Sequence, residues 1–157
     1  SDGAITFALV LFGVAGLAGS LLFARLDNVT LATFARFACA GIAASLLMMA
    51  AAAAGGEVAS CAVCVLWGLA ASLFNVTFNA AVIKCSPEGA SSVAMSMYSG
   101  LYNLGIGTGT WLGGVVTANA GIEFIGYVGG ALAVAGFAYC CARFVPLLRK
   151  VRHPQIG

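Results

Sequence analysis

The chain has 157 residues, 62% of them hydrophobic and 8% charged, with a mean hydropathy of +1.05. An ordinary soluble domain is about 45–50% apolar and about 25% charged. Seven Lys/Arg and five Asp/Glu cannot cover a soluble surface of this size, the apolar content excludes disorder, and a net charge of +2 is too small for a nucleic-acid footprint, which leaves an all-α, polytopic membrane protein in contact with a lipid bilayer.

The charges themselves mark the spans. Charge-free stretches cover residues 3–24, 37–56, 58–83, 89–122 and 124–142. Each holds the roughly 20 residues that cross about 30 Å of hydrocarbon as a helix. The alternating ten-residue segments of a membrane barrel do not occur. The pattern predicts five transmembrane helices at about 4–25, 33–54, 60–83, 93–117 and 122–145.

The first span lacks the basic n-region of a signal peptide and has too long an apolar run for one. Because the chain starts with Ser1 and enters this span at once, it reads as a fragment of a longer protein. Gly13, Gly16, Gly19 and Ser20 put small residues on one side, the pattern that lets a second helix backbone approach closely in lipid. The second span is alanine-rich. The third opens on Cys61-Ala-Val-Cys64, which has no second pair at zinc-site spacing, so no metal is expected. Further along the third span, Trp67, Ala71, Asn75 and Asn79 recur every four residues and share one face.

The fourth span adds Tyr98, Ser99, Tyr102 and Asn103, and then Gly105, Gly109 and Gly113, which form one flat stripe. A carboxamide in hydrocarbon needs partners. The residues alone leave two uses open: hydrogen bonds between helices, and a polar passage for a hydroxylated or amide-bearing solute. The fifth span is mostly apolar. It is followed by a basic segment in which His153 stands beside Pro154. With no other histidine and no charged residue deep in a span, no catalytic constellation, metal site, cofactor site or enzymatic activity is expected.

Orientation follows from the basic residues. In a five-span arrangement Arg25, Arg36, Lys84, Arg143, Arg149, Lys150 and Arg152 fall on one side, while Asp2, Glu57 and Glu123 fall on the other. The positive-inside rule makes the basic side cytoplasmic, which puts the N-terminus outside and the C-terminus inside.

Leu11-Phe-Gly-Val-Ala-Gly-Leu-Ala-Gly-Ser20 leading into Ala24-Arg-Leu-Asp27, together with Pro87, the run Ala94–Gly109 and Gly113-Gly114, resembles the major facilitator superfamily, in particular bacterial sugar-efflux transporters of its drug:proton antiporter branch. The resemblance covers nearly the whole chain. It implies a C-terminal transmembrane half-bundle over residues 1–157, with the five spans as helices eight to twelve of the major facilitator fold, a partial six-helix bundle. Two such bundles of inverted repeats enclose a central cavity. The loop signature of the family is reduced here to Ala24, Arg25, Asp27 and Asn28.

By the same resemblance the third span lines the cavity, the first and fourth flank it, and the second and fifth face lipid. Trp67, Asn75, Asn79, Tyr102 and Asn103 become the expected solute pathway, and Gly13, Gly16, Gly105, Gly109 and Gly113 the helix-packing positions. The implied activity is export of a small neutral polar solute, a sugar, by alternating access with proton antiport in the bacterial inner membrane. The N-terminal half of the same protein is the expected partner and the source of the coupling acid. The competing expectation is a membrane structural or assembly subunit with no transport role. It would show the same glycine stripes without a wet asparagine face.

Overall fold

A computed structural model describes residues 2–26 and 28–152. Ser1, Asp27 of the reduced loop signature, and residues 153–157 with His153 and Pro154 lie outside the described residues. The order is α1 (Asp2–Arg25), α2 (Leu31–Ala54), α3 (Glu57–Cys85), α4 (Ser91–Asn119), a short 3-10 turn (Ile122–Phe124), α5 (Ile125–Tyr139), a π turn (Cys140–Phe144) and α6 (Val145–Arg152). Among the described residues there is no strand.

Four segments are long and apolar enough to cross a membrane: Thr6–Arg25, Leu31–Met49, Glu57–Cys85 and Ile122–Leu148. The helix α4 is as long as α3, at 29 residues, and carries no charge. It is less apolar than the others because Gly, Ser, Thr, Asn and Tyr dilute its aliphatic residues. Such a composition suits a helix surrounded by protein better than one surrounded by lipid.

Local chemistry sets the ends. Thr30 caps α2 by accepting the Thr33 backbone N–H at 3.3 Å, satisfying one of the free donors of the first turn. The turn into α3 requires Gly56 at φ +90°, a left-handed conformation that side chains rarely adopt. Pro146 sits just inside α6. A proline lacks the N–H for its own helical bond and clashes with the carbonyl four residues back. The π turn just before it widens the helix there, with the Val145 N–H donating five residues back to the Cys140 carbonyl.

The packing centre is α3, which lies between α1 and α2, and α5 closes on the far side of α2. Where α1 meets α3 the backbones nearly touch. A Cβ added at Gly68 would stand 2.5 Å from the Phe12 carbonyl oxygen, and one at Gly19 would stand 2.9 Å from the Leu69 carbonyl oxygen. Ser20 Oγ and Ser72 Oγ are hydrogen-bonded across this seam at 2.8 Å. On the other side of α3, a Cβ at Gly41 would meet the Ala70 methyl at 2.8 Å.

The helix α2 supplies much of the buried core, with Ala32, Phe34, Ala35, Ala38, Cys39, Ala43 and Ser45 all buried. The expectation that the second span mainly faces lipid therefore needs correcting for this face. Its alanines are short enough for α3 and α5 to close in on both sides, and only residues such as Phe37, Leu47 and Met48 remain outward.

Candidate functional site

The polar face of α3 survives in three dimensions. The Asn79 Nδ2 donates to Asn75 Oδ1 at 2.7 Å, one helical turn apart. Among the described residues nothing further engages the Asn75 amide hydrogens or the Asn79 carbonyl oxygen, and neither atom is sealed off as a buried unpaired group. The pair thus presents a donor and an acceptor side by side. A hydroxyl group, which both donates and accepts, is the complementary partner.

Trp67 lies on the same face, about 12 Å along the helix from Asn75. It meets Phe12 of α1 edge-on, with ring centroids 5.3 Å apart and an interplanar angle of 63°. This contact fixes the indole from one side and leaves it about a third exposed, at 36%. An aromatic face held in this way can stack on the C–H face of a ring solute.

The helix α4 stands apart from this block. It has no buried residue and touches α3 and α5 only sparingly. Tyr102 stacks on Tyr98 with centroids 6.1 Å apart, and Asn103 Nδ2 donates to the Ser99 carbonyl of its own helix at 2.8 Å. The structure therefore brings Trp67, Asn75 and Asn79 together on one helix, and Tyr102 with Asn103 on another. Among the described residues no hydrogen bond joins the two groups. Tyr98 has a hydroxyl closed off from the surroundings with no partner among the described residues. Its i, i+4 spacing to Tyr102 is visible in the sequence, but the sealing of its hydroxyl is not.

The glycines divide in the same way. Gly16 is in ordinary van der Waals contact with α3, 3.8 Å from Ser72 Cβ. Gly13, Gly105, Gly109 and Gly113 have nothing within 4 Å of an added Cβ. Gly68 and Ser72 form a small-xxx-small pair on α3 opposite Gly16 and Ser20 on α1. Gly68 stands outside the polar face that Trp67, Asn75 and Asn79 mark in the sequence. The four-residue spacing was the available signal.

The chain matches the Major Facilitator Superfamily over residues 1–157. It is similar to proteins named "Probable sugar efflux transporter". It is 33% identical over 148 residues to the one from Haemophilus influenzae (strain 86-028NP), covering 94% of this chain and 35% of that protein. It is 32% identical over 144 residues to the one from Mannheimia succiniciproducens, covering 92% and 36%, and 35% identical over 145 residues to the one from Helicobacter pylori (strain HPAG1), covering 92% and 36%. The chain spans about a third of the length of these relatives.

The family is one of membrane transporters, not enzymes, and its members act on small solutes within a membrane. That accords with long helices whose interiors carry amides and aromatic rings. A match along the entire chain, on helices of membrane-crossing length, makes this an integral membrane protein that belongs to the Major Facilitator Superfamily.

Proposed function

We propose that the chain is the helix eight to twelve portion of a secondary active transporter that exports a small neutral polar solute, of the sugar class, by alternating access with proton antiport. The observation that carries this reading is the Asn75–Asn79 pair on the Trp67 face of α3, with an amide donor and a carbonyl acceptor left open. Carboxamides recognise hydroxyls, an aromatic ring further along the same helix face recognises sugar C–H faces, and neither offers a fixed charge to an ionic solute. The name shared by the relatives points to the same class. Tyr102 and Asn103 of α4 complete the pathway. The glycine stripe Gly105, Gly109 and Gly113 is the face on which the N-terminal half packs.

The coupling acid belongs to that other half. Among the described residues the ionisable side chains of Glu57, Lys84, Glu88 and Glu123 stand at helix ends or in loops. A proton relay needs a titratable group deep in the membrane. The basic helix ends lie in the cytoplasm and the N-terminus of the chain lies outside, in the bacterial inner membrane.

Two measurements test this reading. In the full-length protein Asn75→Leu keeps the helix and removes the amide. Export of the transported sugar should fall roughly 3- to 10-fold, the equivalent of about one net hydrogen bond, with expression unchanged. Parental rate and apparent affinity would reduce Asn75 to a packing residue. Cys85, exposed at the end of α3, should react with an impermeant thiol reagent only from the cytoplasmic side. Labelling in intact cells would invert the orientation.

A further inference from the structure

A cavity of about 360 Å³ opens between α2, α3 and the α5–π segment, lined by Cys39, Ile42, Phe74, Phe78, Phe137 and Phe144 among others, with neither Asn75 nor Asn79 in its wall. Its walls are almost wholly apolar. The π turn shapes one of them. It brings Phe144 onto Phe78 with ring centroids 4.7 Å apart, and Phe78 stacks in turn on Phe74 at 4.2 Å. The volume lies within the roughly 300–1,000 Å³ of ligand clefts.

The depth of the cavity follows from the helix rise. Cys39 lies about 12 Å from the start of α2 and Phe78 about 10 Å from the end of α3, at 1.5 Å per residue. These are the basic ends of the helices. An apolar cavity of this kind stays dry, and at this depth the surrounding solvent is the acyl chains of one leaflet.

A tail gains little by leaving bilayer hydrocarbon for a protein groove of equal polarity. Selectivity must come from the mouth. Arg36 precedes Cys39 by three residues, Arg143 follows Cys140 by three, and both displacements run toward the basic end. Both side chains are exposed, and Arg36 is within electrostatic range of Cys140. Among the described residues no carboxylate pairs with either guanidinium. Arginine stems extend along apolar surface while their heads reach the headgroup level. There the planar donor fork matches phosphate oxygens.

We infer that this cavity seats one acyl chain of an anionic glycerophospholipid whose phosphate is held by Arg36 and Arg143. A choline lipid brings its own cation to the same mouth and is disfavoured. The site rests on the membrane reading above, and the cytoplasmic leaflet as its source rests on the proposed orientation. Binding itself does not, because a measurement in detergent is blind to leaflet and to transport.

The test is native mass spectrometry of the full-length protein in detergent with equimolar phosphatidylglycerol and phosphatidylcholine of matched chains. The expected result is one retained phosphatidylglycerol, preferred roughly 10- to 30-fold, the range that two basic groups near an anionic headgroup give. The double variant R36Q/R143Q should bring the preference close to parity, while R36K/R143K, which keeps the charge and loses the planar fork, should fall between the two. Gly136 lines the cavity and has no atom within 4 Å of an added Cβ. Gly136→Phe should therefore fill the space and abolish the bound lipid, and Ala133→Phe is the second filling variant should the first not express. Equal retention of the two lipids, an unchanged preference in R36Q/R143Q, or full retention in a folded filling variant would each overturn the site. So would a parent protein with no bound lipid, because the remaining helices would then be what covers the groove.

Discussion

Two helices of this chain carry nearly the same small-residue pattern and behave in opposite ways. In α1, Gly16, Gly19 and Ser20 are pressed against α3, with backbone atoms so close that a single methyl at Gly19 has no room. In α4, Gly105, Gly109 and Gly113 recur every four residues, the step that separates Gly16 from Ser20, and face open space. The comparison shows that a glycine stripe specifies the capacity for close approach and not the approach itself. The partner surface decides. For α1 that partner is inside the chain, the Gly68–Ser72 face of α3. For α4 we propose that it is the N-terminal half of the longer protein.

The largest effect is expected at the α1–α3 seam. Gly68→Ala adds one methyl 2.5 Å from the Phe12 carbonyl oxygen and 3.2 Å from Ala15 Cβ. Backbone must move, and overpacking of this kind costs about 1–3 kcal/mol. A clear drop in the melting temperature of the purified full-length protein is expected, and an unchanged value would mean that the seam is looser than described.

Gly109→Leu sharpens the other arm. Within this chain the position is open, so the isolated chain in detergent should tolerate the substitution. The full-length protein should lose stability by a comparable amount, about 1–3 kcal/mol if a second backbone packs there, and export with it. Tolerance in both settings would assign the stripe to lipid. The smallest effect belongs to the Ser20–Ser72 hydrogen bond. Ser72→Ala should cost only about 0.6 kcal/mol, the mean for such contacts between membrane helices, seen as a small shift in unfolding by denaturant. A loss as large as that of Gly68→Ala would place the seam's strength in polar contacts and not in close backbone packing.

The same contrast separates what is local to each helix from what is not. Hydropathy and the positions of twelve charges point to long apolar helices because a charge in hydrocarbon is costly wherever it sits. The recurrence of Asn75 and Asn79 every fourth residue put them on one face because helix geometry is fixed locally. Their mutual hydrogen bond, made within α3, follows from that spacing. Hydropathy could not tell the helix-facing alanines of α2 from lipid-facing ones. Lipid tails and buried side chains are equally apolar, so the pattern is the same for either environment.

The sequence by itself determined the all-helical class, the membrane as solvent and the polar face of α3, since all of these depend on single-residue transfer costs and local periodicity. Tertiary structure alone decided which small residues touch. Gly68 meets Phe12 and Gly41 meets Ala70, while Gly109 meets nothing, because close approach depends on which two helices are brought side by side. It also decided the π turn before Pro146 and the aromatic cavity it helps to wall, because the stacking of Phe74, Phe78 and Phe144 joins residues from two helices far apart in the chain. Local sequence fixes what each helix offers, and the contacts between helices fix which of those offers are taken up.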